Sequence, residues 1–527
     1  MRRAVALPLF AATFLVLLAS FHLFSRITVD DAFITWRYGK NLVEHGVWGY
    51  NPTAFDLTQA YTNPIYALAS ILPAALGMDV VLFFKLVSLA LLAGFVAIFC
   101  RLSRDKTLGL FLALLFAALP ATIVHGFAGL ETFLYVAALG FLFIAVAKGD
   151  LRAATLLSAL LVLTRPEAWL LVGLVPAQFF LMALLDAWGR GEGLRAVFRW
   201  RRLWPVVSAQ AFLLLFFGAY AAFHYAHFGD VLPNTFYVKS AAAFNLYTFV
   251  SLSILLLPLL GLVPAGQGRV AFFAVLLFAP IIYTYSTSPL QMNYVARFSY
   301  HLFAPIYILC AWLAASPGPA VPKRKIGGPA PAENRSGAAW PMTAISIASL
   351  AVFALISTRP AHLTQMMNNY PHALQANAVL GRSLAELHAA GAVRSFSLGD
   401  AGIVAFQSGM VALDNIGLGS ALVARNGVTE TVVDSYAPDV IVFHSRPGRI
   451  RLAYYGQEVL FRWAERHNYR FLCEIFLNPN YTLRVYTGLE LKGLARACTL
   501  SQRANNLPQA EFLKTHFFRP PWRFWRE

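Results

Sequence analysis

The chain contains a succession of apolar segments, each nearly twenty residues long and almost free of charge. Leu7–Leu23, Val80–Phe99 and Leu108–Val124 are three of them. A helix needs about 20 apolar residues to cross the hydrocarbon core of a bilayer. Only 13% of the residues are charged, about half the fraction that is usual in soluble proteins. The sequence therefore predicts a polytopic α-helical membrane protein and excludes a soluble enzyme.

We expect about eleven membrane-spanning helices. The predicted spans are 4–24, 79–100, 107–124, 132–147, 151–164, 166–185, 204–226, 245–264, 270–286, 301–315 and 341–358. Pro166 marks the break between two of the shorter ones, since proline cannot continue a helix that runs into it. The apolar stretch Ile65–Leu76 is too short to cross and predicts an interfacial or re-entrant helix.

The net charge of +17 reflects membrane topology rather than a nucleic-acid partner. With the N-terminus inside, the predicted cytoplasmic segments hold 17 basic and five acidic residues, and the outer ones before residue 359 hold seven basic and eight acidic residues. Lys and Arg accumulate in cytoplasmic loops, so this asymmetry supports the orientation. An odd number of spans then places the C-terminus outside.

Two regions are predicted. Residues 1–358 form the membrane module, with a first outer loop at 25–78 and a Pro- and Gly-rich cytoplasmic linker at 316–339. Residues 359–527 alternate short β-type runs with helical stretches, which predicts an extracytoplasmic α/β domain. Cys473 and Cys498 both lie in this domain. A disulfide between them is one possibility, because spacing alone does not fix their distance.

The first outer loop begins with two adjacent carboxylates, Asp30 and Asp31, followed by an amphipathic stretch with Phe33, Trp36 and Tyr38. Apolar residues at this spacing predict a helix that lies along the membrane surface. Adjacent carboxylates repel each other, so one can have a raised pKa and act as a general base while the other stays ionised. Asp is also well suited to cap a helix, and the residues alone leave both roles open.

The motif DDAFITWRYGKNL at 30–42, with GYNP at 49–52 and YTNPIYAL at 61–68, resembles the first outer loop of the GT-C glycosyltransferases. Further similarities follow in order: GLETFLY at 129–135, TRPEAW at 164–169, FGDVLPNTFYVK at 228–239, NYVARF at 293–298, and GDAGIVAFQSG with LDNIGLGS between 399 and 420. The chain is most similar to the branch that contains the terminal β-1,2-arabinofuranosyltransferases of mycobacterial cell walls.

This resemblance implies an inverting glycosyltransferase of the bacterial inner membrane, with the N-terminus cytoplasmic and the C-terminal domain periplasmic. It implies transfer of a sugar, expected to be arabinofuranose, from a polyprenyl-phosphate donor to a hydroxyl of a cell-envelope glycan or glycoconjugate. An Asp of the first outer loop is the base in such enzymes. We expect Asp30 to be the base and Asp31 to orient it, while Glu131 is a second candidate carboxylate.

Charged and polar residues at outer helix ends are candidate contacts for the donor phosphate and the substrates: Arg165, Glu167, Asn234, Lys239, Arg297, Tyr61 and Asp400. Cations are needed to stabilise a departing phosphate. Interfacial anchoring is the alternative role for the basic and aromatic members, and a turn is the ordinary setting for Asp400. No cofactor is implied. A divalent cation is left open, with Asp30, Asp31 and Glu131 as its candidate ligands.

Three alternatives remain at the level of sequence. A related GT-C enzyme could use another lipid-linked sugar or a protein acceptor, and a non-catalytic assembly protein could keep the same fold. A membrane transporter is the alternative from another class, although transporters often have repeated halves and no internal repeat is visible here.

Overall fold

The computed structural model describes residues 27–192, 198, 200–239, 243–264, 266–290, 292–316, 339–358, 366, 370–478 and 480–505. The predicted first span at 4–24 and nearly all of the predicted linker at 316–339 lie outside these residues.

The membrane module is helical throughout its described part. Its α-helices are α1 (Asp30–His45), α2 (Pro64–Ala69), α3 (Ile71–Ala75), α4 (Val80–Leu102), α5 (Lys106–Ala117), α6 (Pro120–Phe127), α7 (Thr132–Lys148), α8 (Leu151–Val162), α9 (Leu171–Gly189), α10 (Trp200–Phe228), α11 (Asn234–Lys239), α12 (Leu246–Ile254), α13 (Gly268–Ser286), α14 (Arg297–Ala315) and α15 (Ala339–Ser357). Short 3₁₀ helices at Pro166–Leu170, Leu257–Leu262 and Tyr294–Ala296 join or extend some of them.

Six of the described helices are long and apolar enough to cross a membrane. They are Val80–Leu102, Pro166–Gly189, Leu203–Phe228, Gly268–Ser286, Tyr294–Ala315 and Trp340–Ser357, and the pair α5 and α6, bent by 66° at Leu119, makes a seventh if it counts as one span. The predicted spans at 132–147, 151–164 and 245–264 are shorter apolar helices. The predicted number of eleven is therefore not confirmed, although the polytopic helical architecture is.

Helix α14 forms the centre of the bundle. It packs against α7 on one side and α15 on the other, and 89% of its most apolar stretch is buried. The chain enters it through a tight turn in which Val295 and Ala296 have φ angles of 48° and 53°. Left-handed backbone of this kind costs about 1–3 kcal/mol in a residue other than glycine. The packing on both sides of α14 therefore fixes the position at which Arg297 begins the helix.

The C-terminal part is a small domain built on one mixed sheet. Its strands are β1 (Ser395–Leu398), β2 (Val411–Leu413), β3 (Val440–Arg446), β4 (Arg449–Ile450), β5 (Arg470–Asn478) and β6 (Tyr481–Thr487), and the order is β2-β1-β3-β6-β5 with β4 beside β3. Strands β1, β2 and β3 run parallel, whereas β5 and β6 are antiparallel. Its helices are α16 (Tyr370–Ala389), α17 (Ile403–Ser408), α18 (Ala421–Asn426), α19 (Glu430–Tyr436), α20 (Gln457–Arg466) and α21 (Lys492–Asn505).

The predicted α/β character of this domain is confirmed, and each of the four predicted β-type runs overlaps a strand. The sequence did not reveal the short strands β2 and β4. Cys473 of β5 and Cys498 of α21 form a disulfide, so the pairing that the sequence left open is present.

The first outer loop and the C-terminal domain are docked on each other through helix α17. The Asp30 carboxylate accepts hydrogen bonds from the N–H groups of Gly402 and Ile403 at 2.9 and 2.8 Å. At the other end of the helix, Lys40 Nζ donates to the carbonyl of Phe406 at 2.8 Å. The two domains are thus joined by hydrogen bonds at both ends of α17 as well as by packing.

Candidate active site

A cavity of about 420 Å³ lies where the helical bundle, the first outer loop and the docked domain meet. Its walls come from α1, the turn before α7, the break before α9, the end of α13 and the start of α14. Polar side chains on these walls are Asp31, Thr35, Tyr61, Thr62, Glu131, Arg165, Glu167, Thr235, Thr284, Tyr285, Thr287, Ser288 and Arg297. Carboxylates, guanidinium groups and hydroxyls therefore share one cavity with apolar residues, as in ligand sites generally.

Arg165 occupies the floor of the cavity and is paired with two carboxylates. Its Nη1 lies 2.8 Å from Glu131 Oε1, and its Nη2 lies 2.9 Å from Glu167 Oε1. Asn63 donates to the other Glu131 oxygen at 3.3 Å. The backbone of Arg165 is extended (φ −155°, ψ 144°) where Pro166 begins the next helical segment, as expected for a residue that precedes proline. The predicted helix break therefore turns this arginine into the cavity.

The ion pairs of Arg165 continue into a second row of polar groups. Tyr285 donates its hydroxyl to Glu167 Oε1 at 3.0 Å, and its oxygen also lies 3.0 Å from Nδ1 of His301. Tyr285 and His301 come from α13 and α14, and neither was a candidate at the level of sequence. No local pattern marks them, because a tyrosine and a histidine on two apolar spans become partners only when the spans pack.

Asp31 and Asp30 point to different places, as adjacent positions of a helix must. Asp31 lines the cavity, and within the described part of the chain its carboxylate has no hydrogen-bond donor. Asp30 faces the C-terminal domain and accepts from the start of α17. Burial, and then the charge of Asp400, raise the pKa of Asp30 to about 8, against the backbone donors that lower it. Of the two carboxylates, Asp31 is therefore the one that lines the cavity, whereas the sequence analysis placed Asp30 first.

Arg297 is the second guanidinium on the cavity wall. It lies over the rings of Phe298 and Tyr294 at 5.7 and 6.0 Å, and its buried Nε has no hydrogen-bond partner. Within the described residues Arg297 forms no ion pair with a carboxylate. Arg165 is already neutralised by two acids, so Arg297 is the cationic group on this wall with donors to offer an anion.

The other candidates lie in several different settings. Tyr61 lines the cavity and accepts a hydrogen bond from Trp48 at 3.2 Å. Asn234 donates to the carbonyl of Gly417 at 3.2 Å, so it holds a loop of the C-terminal domain. Lys239 is the last residue of α11, and its side chain lies outside the described part. Asp400 lies away from the cavity, 3.2 Å from His444 Nε2, and accepts from Tyr481.

Lys85 of α4 is a further basic residue near the first outer loop. It is buried, and its Nζ donates to the carbonyls of Ile27 and Phe127. Buried lysines need such partners because an unpaired buried charge is costly. Lys85 therefore ties the start of the first outer loop to the end of α6.

The candidate metal ligands are not gathered into one site. Asp30 and Asp31 diverge, and Glu131 is engaged by Arg165 and Asn63. Within the described residues, no group of three or more His, Cys, Asp or Glu side chains is placed to hold a metal ion. The cavity is therefore lined by a carboxylate (Asp31), a cation (Arg297) and the ion pairs of Arg165 with two carboxylates.

The solved structure of ArnT from Cupriavidus metallidurans in the apo state is similar to this chain. The two are 14% identical, with 92% of this chain and 98% of that chain covered and a TM-score of 0.52. No protein-family model and no curated protein matches the chain. The likeness runs over nearly the whole of both chains, and it shows that the two share a fold.

Proposed function

We propose that the protein is an inverting membrane glycosyltransferase that moves a sugar from a lipid-linked donor to an acceptor hydroxyl on the outer face of the membrane. The observation that carries this proposal is the cavity itself. Asp31, which has no donor in the described part of the chain, and Arg297, which has no ion pair there, line the same 420 Å³ space. A base and an anion-binding group are what transfer from a phosphate-linked sugar requires.

In the proposed reaction, Asp31 takes the proton of the acceptor hydroxyl as its oxygen attacks the anomeric carbon. The bond between that carbon and the phosphate oxygen breaks on the opposite side, so the configuration inverts. The polyprenyl phosphate leaves with one more negative charge than it carried in the donor. Arg297 stabilises that charge, and the pairs of Arg165 with Glu131 and Glu167 hold the floor of the cavity in place.

A polyprenyl monophosphate donor and arabinofuranose as the sugar are the finer parts of the proposal. They rest on the resemblance of the motifs at 30–42, 129–135, 164–169 and 293–298 to the arabinofuranosyltransferase branch. We propose a cell-envelope glycan or glycoconjugate as the acceptor, at the bacterial inner membrane.

The test is turnover by the purified protein in lipid nanodiscs. Radiolabelled polyprenyl-phosphate arabinofuranose and, in parallel, other polyprenyl-phosphate sugars are incubated with and without an oligosaccharide acceptor. We expect polyprenyl phosphate to be released when the acceptor is present and the wild-type protein is used, and the Asp31→Asn variant to lose this release. If the wild-type protein turns over none of the donors, the enzymatic proposal is wrong, and a transporter or an assembly protein becomes the better explanation.

A further inference from the structure

The C-terminal domain reaches the cavity through a single loop, Asp414–Ser420, which connects β2 to α18. Of the described residues after 370, Leu418 alone lines the cavity. It therefore lies where the membrane module and the C-terminal domain meet at the cavity.

The loop is fixed from within by a buried carboxylate. Asp414, fully buried, accepts hydrogen bonds from the N–H groups of Ile416 and Gly419 at 2.9 and 2.7 Å. Gly417 has a φ of +98°, and a Cβ there would lie 3.0 Å from the nitrogen of Ala424. Glycine is the residue that adopts such a conformation without strain. The turn that presents Leu418 is thus set by Asp414 and Gly417.

The membrane module holds the same loop from the other side. Asn234 donates its side-chain amide to the carbonyls of Gly417 and Leu418 at 3.2 and 3.5 Å. Its own N–H donates to the carbonyl of Gln59 in the first outer loop at 3.0 Å. Asn234 therefore links the two modules at the point where Leu418 enters the cavity.

The cavity wall near this contact differs from the wall that carries Asp31 and Arg297. Besides Leu418, the stretch that follows α10 contributes Leu232, Pro233, Thr235 and Phe236. None of these five side chains is charged. Placing a charged group against apolar side chains without a partner is costly, whereas the C–H face of a neutral sugar ring packs well against them.

We propose that Leu418 and the loop Asp414–Ser420 form the acceptor subsite, and that this subsite selects an acceptor whose ring is uncharged beside the accepting hydroxyl. The inference rests on the proposed function. Leu418 is assigned to the acceptor because it belongs to the C-terminal domain, which the proposed orientation places outside the membrane, whereas the proposed donor is anchored in the bilayer by its prenyl chain. Asn234 is a positioning residue in this scheme, since it acts through the loop and not on the substrate.

The experiment compares Leu418→Ala, Asn234→Ala and a matched control, Leu452→Ala, at an exposed leucine of the same domain. The probes are an octyl arabinofuranoside disaccharide and its counterpart with a carboxylate at C5. Burying a leucine side chain is worth about 1.5–3 kcal/mol, so we expect the acceptor KM and Kd to rise about 10- to 100-fold in Leu418→Ala. Asn234→Ala is expected to change the same two constants, with the donor KM unchanged in all three variants.

The wild-type protein is expected to bind the neutral probe more tightly than the carboxylate probe, and Leu418→Lys is expected to reduce that preference at least tenfold. A change in donor KM without a change in acceptor constants would overturn the assignment and place Leu418 on the donor. Equal binding of both probes by the wild type would overturn the selectivity. Binding is measured separately from turnover, so absence of turnover with intact probe selectivity contradicts the proposed function alone.

Discussion

Asp31 and Asp30 are adjacent in sequence, yet the fold gives them separate tasks. Asp31→Asn keeps size and hydrogen bonding but removes the proton acceptor in the cavity, and loss of a general base costs about 10²–10⁴ in rate. We expect a loss of this size in kcat with the donor Kd unchanged, because phosphate binding depends on Arg297. Asp30→Asn is expected to retain more than a tenth of the wild-type kcat. The opposite ranking, with both variants folded, would return the role of base to Asp30.

Replacing Arg297 is expected to weaken donor binding, whereas replacing Arg165 is expected to reduce stability. Arg297 has no carboxylate partner among the described residues, so Arg297→Gln removes donors from the phosphate and is expected to weaken donor binding about 10- to 100-fold. This follows from about 1.5–3 kcal/mol for a charged hydrogen bond. Donor Kd from direct titration measures it, with the melting temperature as the control for folding.

Arg165→Gln leaves Glu131 and Glu167 buried without their cation. Removing one partner of a buried ion pair typically costs about 3–5 kcal/mol, so this variant is expected to lose stability before it loses any specific affinity. Thermal unfolding in detergent should separate the two arginine variants. An unchanged melting temperature for Arg165→Gln, together with a selective loss of donor binding, would mean that Arg165 contacts the donor directly.

At the scale of elements, helix α17 is held at its start by Asp30, whose half-buried carboxyl lies near Asp400 and has its pKa raised from an ordinary 3.8 to about 8. The folded state therefore binds more protons than the unfolded state between these values, and stability falls as pH rises through this window. Asp414, with a pKa of about 6, contributes in the same direction below pH 6. Melting temperatures are expected to fall from pH 6 to pH 8 in the wild type and to stay level there in Asp30→Asn. An equal slope in both would show that Asp30 does not titrate in this range.

The disulfide belongs to the same scale, since it joins β5 to α21 across 25 residues. Closing a loop of this length in the unfolded chain is worth about 3 kcal/mol. We expect the double variant Cys473→Ser, Cys498→Ser to lower the unfolding temperature of the C-terminal domain while leaving the helical content unchanged. Limited proteolysis of the double variant should show faster cleavage first at sites after residue 470. Identical cleavage kinetics in the wild type and the double variant would contradict the predicted loss of stability.

The elements that could be predicted from the sequence are those with a local cause. Apolar runs gave the helices of the bundle, Pro166 gave the break at Arg165, and β-type runs such as 440–444 gave strands. That Asp31 faces the cavity could not be predicted, because it depends on the hydrogen bond between Asp30 and Gly402. These two residues are 372 positions apart in sequence. The Tyr285–His301 contact likewise joins two spans. Such pairs depend on packing, which a single sequence does not display.

At the scale of the whole molecule, the contacts between the first outer loop and the C-terminal domain constrain the membrane topology. Lys40, Tyr50 and Asn51 of the first outer loop donate hydrogen bonds to carbonyls between 401 and 412. The loop and the C-terminal domain must therefore lie on the same side of the membrane, which requires an even number of crossings between them. The ten spans predicted between residues 79 and 358 meet that condition, and the charge asymmetry of the loops predicts that the shared side is the outer one.

The orientation can be tested with single cysteines introduced into a Cys100→Ser background, where the remaining free thiol, Cys310, is buried. Ala54 and Ala390 are exposed in the first outer loop and the C-terminal domain, and Lys323 lies in the predicted cytoplasmic linker. A membrane-impermeant maleimide added to intact cells is expected to label Ala54→Cys and Ala390→Cys, and to label Lys323→Cys only after permeabilisation. If only Lys323→Cys were labelled in intact cells, the predicted membrane orientation would be the wrong way round. Labelling of Ala54→Cys and Ala390→Cys from opposite sides would contradict the docking itself, because no contact across a bilayer could hold Asp30 against α17.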